Sequence, residues 1–217
     1  MSIGFILQAR MDSSRLPKKA LMQLNDLSVI ENCFNILKES ALNVGVPILA
    51  TTNRLLDDPL VNLAHEYQIE VFRGDTNNVL NRFYEAAKKY DLTTISRLTG
   101  DNPFIVSKMQ KALIKTKELD GEEACIVTTR NTGLPTGLDF EAFNKGALEL
   151  AHAEAFDDND LEHVTTFMYK DNRVNKIVKK VELKNIVSCN YSIDTLVDLQ
   201  NARKLAKETQ LTMSILN

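Results

Sequence analysis

Apolar and polar positions follow two rhythms along this chain. Residues 2–7 (S-I-G-F-I-L) form a short apolar run of strand length, and similar runs recur at 46–50, 69–72 and 93–98. Between the first two, Val29, Ile30, Cys33, Phe34 and Leu37 return at intervals of three and four, which predicts an amphipathic helix over 27–40. Residues 57–67, 77–90 and 107–119 read as helices too, the first opened by Asp57-Asp58-Pro59 and the last by a serine cap at Ser107. Repeated strand–helix units of this length predict a mainly parallel sheet covered by helices on both faces.

From Glu123 the rhythm changes. Residues 124–128 read as a strand, 131–137 (N-T-G-L-P-T-G) as a loop, and 138–143 alternate as a strand should. Residues 144–155 and 161–169 read as helices. The segment 174–183 (V-N-K-I-V-K-K-V-E-L) alternates loosely and suits an exposed strand or hairpin arm. A last short strand at 191–194 leads into a helix over 195–209, with Thr195 as cap and Asp198 at its third position. No repeat and no Pro/Gly/Ser-rich linker divides the 217 residues, so a single domain over 1–217 is expected, with halves 1–122 and 123–217.

Composition narrows the classes. Apolar residues at 44% and charged residues at 25% fit an ordinary globular core. A net charge of −3 argues against a general nucleic-acid binder, which shows a broad basic face. Cys33, Cys125 and Cys189 lack metal-ligand spacing and read as small buried thiols in a reducing compartment. No apolar run approaches the ~18 residues of a membrane span, and no signal peptide precedes the first strand. The expectation is a cytoplasmic protein with no membrane partner.

Against this acidic background the segment after the first strand, Q-A-R-M-D-S-S-R-L-P-K-K (8–19), concentrates positive charge. Arg10 and Arg15 can grip phosphate oxygens in forked pairs, and Lys18 or Lys19 adds a point charge. Ser13 and Ser14 offer small hydroxyl donors, and Pro17 stiffens the exit. Open α/β sheets bind ligands beyond the carboxyl ends of their strands. The basic loop, Thr51-Thr52-Asn53, Gly100-Asp101 and Asp194-Thr195 all lie at such ends. Asp101 follows a strand and a glycine, Asp194 ends the last predicted strand, and hard cations such as Mg²⁺ take one or two carboxylates plus phosphate oxygens. Together these residues describe a Mg²⁺–triphosphate site. Asp139 and Glu141 are one strand period apart and share a face, either solvated or turned to substrate. Glu162 and His163 are candidates for an acceptor site.

Arg10, Ser13, Arg15, Leu16, Pro17 and Lys19 match position for position the signature R-x-x-S-x-R-L-P-x-K of the cytidylyltransferases that activate sugar acids, with Lys18 where that family has glycine. Thr99-Gly100-Asp101-Asn102-Pro103 resembles their T-G-D-x-P. Residues 192–199 (S-I-D-T-L-V-D-L) resemble V-D-T-P-E-D-L, with Leu196 for proline and Val197 for glutamate. Arg73-Gly74-Asp75 with Val79-Leu80-Asn81-Arg82-Phe83 resembles R-G-x-x-x-x-V-L-x-R-Y. Residues 137–141 look like G-L-D-x-E, and 162–165 like E-H-V-T. The chain thus resembles the spore-coat polysaccharide biosynthesis protein F branch, relatives of the CMP-Kdo synthetases and acylneuraminate cytidylyltransferases.

The resemblance implies a Rossmann-like nucleotide-diphospho-sugar transferase fold with a small β-arm. It implies transfer of CMP from CTP to a sugar acid or similar acceptor, in surface polysaccharide or glycoconjugate synthesis. Asp101 and Asp194 would bind the catalytic Mg²⁺. Arg15 and Lys19 would hold the β- and γ-phosphates, with Arg10 close to the triphosphate. Gln8, Ala9, Thr51, Thr52, Arg73, Asp75 and Gly100 would frame the nucleotide together with Ser13 and Ser14. Asp139, Glu141, Glu162 and His163 would face the acceptor. It also implies a homodimer through the second half, where strands 138–143 and 174–183 would pair as an arm whose open edges a two-fold partner covers. Two other readings fit the same residues: a related nucleotidyltransferase with a phosphate or phosphonate acceptor, and a non-catalytic nucleotide-binding homologue.

Overall fold

The apolar run at the start of the chain becomes the middle of a seven-stranded sheet. The computed structural model describes residues 2–121, 123–184, 186–208 and 212–215. The first half contributes β1 (Ile3–Gln8), a small hairpin of β2 (Gln23–Leu24) and β3 (Leu27–Ser28), α1 (Val29–Ala41), β4 (Val46–Thr52), α2 (Asp58–Glu66), β5 (Glu70–Gly74), α3 (Val79–Lys89), β6 (Thr94–Thr99) and α4 (Ser107–Leu113). The second half adds β7 (Cys125–Thr128), β8 (Glu141–Asn144), α5 (Lys145–Glu154), α6 (Asp158–His163), α7 (Thr166–Lys170), β9 (Asn175–Val178), β10 (Val181–Lys184), α8 (Leu196–Glu208) and β11 (Thr212–Ile215).

The sheet order is β5-β4-β1-β6-β8-β7-β9. The first four strands are parallel, β8 runs antiparallel to both neighbours, and β9 is parallel to β7. Strands from both halves therefore share one sheet. Successive residues of β1 point to opposite faces, as strand geometry requires. Phe5 and Leu7 pack with Phe34 and Leu37 of α1 and Met109 of α4. Ile6 packs with Leu80 and Phe83 of α3 and Leu148 of α5. Both faces are covered, as the alternating pattern predicts. β4 and β5 lie to one side of β1 and β6 to the other, so the strand order reverses at β1/β6, where such sheets open a crevice.

Several local expectations change in three dimensions. The predicted helix 107–119 ends at Leu113 and is followed by a 3₁₀ turn over Lys117–Asp120. Ser107 lies inside that helix, whose cap position is Val106. Asp57 precedes α2 without capping it. Residues 161–169 form two helices broken at Val164, because that residue takes φ 59°. Residues 191–194 form no strand and pair with none among the described residues: Tyr191 N–H donates to Thr136 O and Ile193 N–H to Asp101 O, both loop carbonyls. The Thr195–Asp198 box forms as expected, and Asp198 also accepts from Asp194 N–H.

The arm is the largest correction. Residues 138–140 precede the strand, β8 pairs with β6 and β7, and 174–183 splits into β9, at the sheet edge, and β10, paired with β11. Val181 and Leu183 are buried, and Ile177 packs on the same core. The apolar side chains that made the segment look in need of a partner are largely covered by the chain itself.

Candidate active site

The cationic loop is held at its base by the neighbouring strand. Asp57 is fully buried and accepts from Met11 N–H at 2.7 Å and from the Thr52 hydroxyl. Arg54 forks onto Asp12, which holds that carboxyl below its ordinary range, although burial opposes ionisation. Lys18, standing where the related signature has glycine, takes φ 61°. Its N–H donates to Met11 O at 2.8 Å and closes the turn before Lys19. The left-handed turn is thus kept, with a lysine accepting a conformation that costs a side-chain-bearing residue roughly 1–2 kcal/mol.

Lys19 is the hub of the site. Its ammonium lies 3.3 Å from Asp101 Oδ2, 3.0 Å from Asp194 Oδ1 and 2.7 Å from Ile193 O. Arg15 reaches the same Asp194 oxygen at 2.8 Å. Asp101 arrives from the turn after β6. Gly100 lets that turn pass close to β1: its N–H donates to Gln8 O at 2.9 Å, and an added Cβ would stand 2.9 Å from Ala9 Cβ. Asp194 arrives on the segment that Ile193 N–H ties to Asp101 O. Two carboxylates and a carbonyl thus converge on one cationic point, a donor set that suits a hard divalent ion. Among the described residues no third acidic, His or Cys side chain joins them. Such an ion would complete its shell with phosphate oxygens and water.

This cluster lines a cavity of about 380 Å³ together with Gln8, Ala9, Arg10, Ser13, Ser14 and Gly100. Five cations (Arg10, Arg15, Lys19, Arg82, Arg97) face it against three carboxylates (Asp101, Glu162, Asp194). In a chain of net charge −3 this is a local reversal of sign, suited to a polyanion. Arg97 falls in no motif, and Arg82 only in the R-G-x-x-x-x-V-L-x-R-Y resemblance, which assigns it no role. Each is a charged residue inside an otherwise apolar stripe or strand, and that misfit is a second sequence signal.

Four expected wall residues lie elsewhere. Thr51 and Thr52 are fully buried and outside the cavity. Arg73 holds Thr52 O at 2.9 Å, Arg54 O at 2.8 Å and Asp58 at 2.7 Å, bracing the β4–α2 connection. Asp75 accepts from Asn77 and Asn78 N–H, both at 2.7 Å, and sets the start of α3. These residues build the frame rather than the wall.

A second cavity of about 350 Å³ adjoins the first, sharing Arg97, Thr99, Asn102, His163 and Ser192. Asp139, Glu141 and His163 line it; Glu162 lines only the first, 3.8 Å from Arg10. Asp139 is half-buried, and burial raises its pKa although Arg130 opposes the shift. Glu141 is different in kind. Arg97 at 2.7 Å, Tyr169 OH at 2.9 Å, Thr165 Oγ1 at 3.3 Å and Arg130 at 3.4 Å occupy its oxygens. It orients two arginines instead of offering a free carboxylate. Burial opposes its ionisation, but Arg97, Tyr169 and Arg130 outweigh that and lower its pKa. The stabilisation is complete above its ordinary value of 4.5 and is lost as pH falls through the lower folded value. Glu141→Gln leaves the half-buried Arg97 without a counter-charge. It is expected to lose about 3 kcal/mol, roughly 6–12 °C in Tm for a chain of this size, and to flatten the acid limb of a thermal-unfolding pH profile.

His163 borders both cavities because of its neighbour. Val164 has φ 59° and ψ −57°, and Thr165 N–H donates to His163 O at 2.5 Å, a γ-turn. This conformation is rare for a β-branched residue, and such strain tends to gather at functional sites.

Three comparisons bear on this site. The family model described as cytidylyltransferase matches residues 4–215. An uncharacterised protein of Methanocaldococcus jannaschii is 34% identical over 217 residues, covering 97% of this chain and 86% of its own. The spore coat polysaccharide biosynthesis protein SpsF of Bacillus subtilis is 30% identical over 170 residues, covering 76% of this chain and 69% of its own. Among solved structures, a cytidylyltransferase of Leptospira borgpetersenii superposes with a TM-score of 0.82 at 26% identity, covering 97% of this chain and 89% of that one.

Proposed function

The chain belongs to the cytidylyltransferase family, and from that premise we propose that it transfers CMP from CTP to a sugar acid or a related acceptor. The observation that carries this reading is the convergence of the basic loop, Asp101 and Asp194 in one cation-rich cavity at the β1/β6 switch point. Arg15 and Lys19 hold the β- and γ-phosphates, and Arg10 the near end of the triphosphate. The acceptor enters the second cavity, and its oxygen attacks the α-phosphorus in line as pyrophosphate leaves. Asp101 and Asp194 hold a Mg²⁺ ion, which when bound neutralises charge on the α-phosphate. His163, at the border of the two cavities, lies where the acceptor oxygen meets the nucleotide. The protein supplies positioning and electrostatics, and no covalent protein nucleophile is needed.

A homodimer formed through the second half belongs to the same reading. β9 is an edge of the sheet, and Phe156, Val178 and Val187 are large apolar side chains exposed in that half. Light scattering at micromolar concentration reads the assembly, and a monomer overturns it.

The reading is tested by pyrophosphate release from CTP and Mg²⁺ across sugar acids, sugar phosphates and phosphonates. Release with at least one sugar acid is expected. CTP binding without release across the whole panel overturns the transferase reading in favour of a nucleotide-binding homologue.

A further inference from the structure

We propose that Arg82 reads the base of the bound nucleotide, donating to the O2 and N3 edge of cytosine and rejecting uracil. This rests on the cytidylyl-transfer reading above and adds a base-discriminating residue to it. Arg82 sits on the inner face of α3, beside Val79, Phe83 and Ala86, and is only 2% exposed. Its Nε and Nη1 are buried with no hydrogen-bond partner, and among the described residues no carboxylate pairs with it. Its side chain lines the first cavity. Burial, helped by the nearby charge of Arg10, lowers its pKa to about 10, so it stays charged at neutral pH.

An unpaired guanidinium in this position is a burden on the fold. Burying a charge without a partner is unfavourable, and an apolar side chain would complete the stripe of α3 at less cost. A ligand group that accepts hydrogen bonds supplies what the protein does not.

The position of Arg82 selects which group. Its stem packs on Gly74, where an added Cβ would stand 2.8 Å from Arg82 Cγ, so the arginine is seated at the end of β5. Lys19, Asp101 and Asp194 gather beyond β6, three strands across the sheet. At ~4.8 Å per strand that is roughly 14 Å. With the phosphates at the β6 end, the nucleoside points toward Arg82. Val79 and Ala9 line the same cavity and offer apolar contact to a flat ring. Guanidinium nitrogens only donate. Cytosine presents two adjacent acceptors, O2 and an unprotonated N3, whereas the N3 of uracil carries a hydrogen that would oppose the donor. Discrimination then comes from a polar group left unpaired with the wrong base.

The experiment titrates CTP, CMP, UMP and inorganic tripolyphosphate into wild type, Arg82→Met and Arg82→Lys by calorimetry, with thermal unfolding of each. Wild type is expected to bind CMP at least tenfold tighter than UMP. Arg82→Met should drop CMP to the level of UMP, keep tripolyphosphate within about twofold, and unfold no earlier than wild type. Arg82→Lys keeps the charge without the planar fork and should also lose the preference, which gives the readout if the methionine variant folds poorly. Unchanged CMP affinity overturns the proposal, and so does equal loss of CMP and tripolyphosphate, which would make Arg82 a phosphate contact. A wild type that binds tripolyphosphate but neither CMP nor CTP overturns the cytidylyl-transfer reading itself.

Discussion

Asp101→Asn abolishes pyrophosphate release from CTP and leaves the chain folded. The carboxylate stands on the turn after β6, and its side-chain partner among the described residues is the Lys19 ammonium at 3.3 Å. Replacing one oxygen by an amide nitrogen removes a charge and no core volume. Lys19 stays tethered by Asp194 and by Ile193 O. A shift in stability within about 0.5 kcal/mol is therefore expected, as for most substitutions away from the core. The rate should fall by about 10²–10³ or more, the range seen when one preorganised electrostatic group is deleted. Asp194→Asn should behave alike. Asp198→Asn touches the cap of α8, its bond to Asp194 N–H and the bond it accepts from Asn190 Nδ2 at 3.3 Å, so it should cost about 1 kcal/mol of stability and little rate. Initial rates at saturating Mg²⁺, read beside circular-dichroism melts, separate these outcomes. Activity of Asp101→Asn within a few-fold of wild type would remove Asp101 from the metal site.

The basic loop was legible because it breaks its surroundings: four cations in ten residues after a buried strand have no role in a core. Asp101 was legible for a similar reason, since a carboxylate behind a strand and a glycine has little to pack against. Thr51, Arg73 and Asp75 misled because a strand end next to a crevice can be used in two ways. Here Arg73 and Asp75 turn inward to satisfy backbone and carboxylate atoms and the Thr51 hydroxyl is buried without a partner among the described residues, an accounting that depends on contacts between β4, β5 and α3. Asp57 reads locally as a helix cap, yet Met11 N–H, 46 residues earlier, claims its carboxylate. The second half was harder for a physical reason. Its strands are four residues long, and their pairing is decided across the sheet: β8 inserts between β6 and β7, and β9 is added outside. No local alternation records that order. Arg82 is the opposite case. It matches the R-G-x-x-x-x-V-L-x-R-Y segment and stands on the apolar stripe of α3 where a hydrophobic residue belongs, and its lack of a partner carries meaning only once the cavity beside it is seen.

Lys19→Met should bind free Mn²⁺ more tightly than wild type while binding CTP more weakly. In this structure the ammonium occupies the point on which Asp101 and Asp194 converge, so a metal ion held by these carboxylates would compete with Lys19 for them. Removing the lysine leaves the two carboxylates without their shared cation, with Arg15 remaining on Asp194 alone at 2.8 Å, and a divalent ion then relieves their repulsion instead of displacing the ammonium. A gain of about tenfold in Mn²⁺ affinity, or 1.4 kcal/mol, is the expected scale for coupling of this kind. The nucleotide has the reverse dependence. With a metal on the carboxylates, the Lys19 ammonium would be free for the β- and γ-phosphates, so in wild type metal and CTP should each favour the other's binding, by the same factor in both directions. The variant loses that link: CTP should weaken at least tenfold, while CMP, which lacks those phosphates, stays within a few-fold. Electron paramagnetic resonance of Mn²⁺ without nucleotide gives the first number, and calorimetry of CTP and CMP with and without metal gives the second. Weaker Mn²⁺ binding in Lys19→Met would mean that the lysine supports the metal site rather than competing with it. Equal loss of CMP and CTP would place its contact on the nucleoside side of the α-phosphate. With the expected pattern, the same ammonium that closes the site in this structure becomes the group that makes metal and triphosphate arrive together.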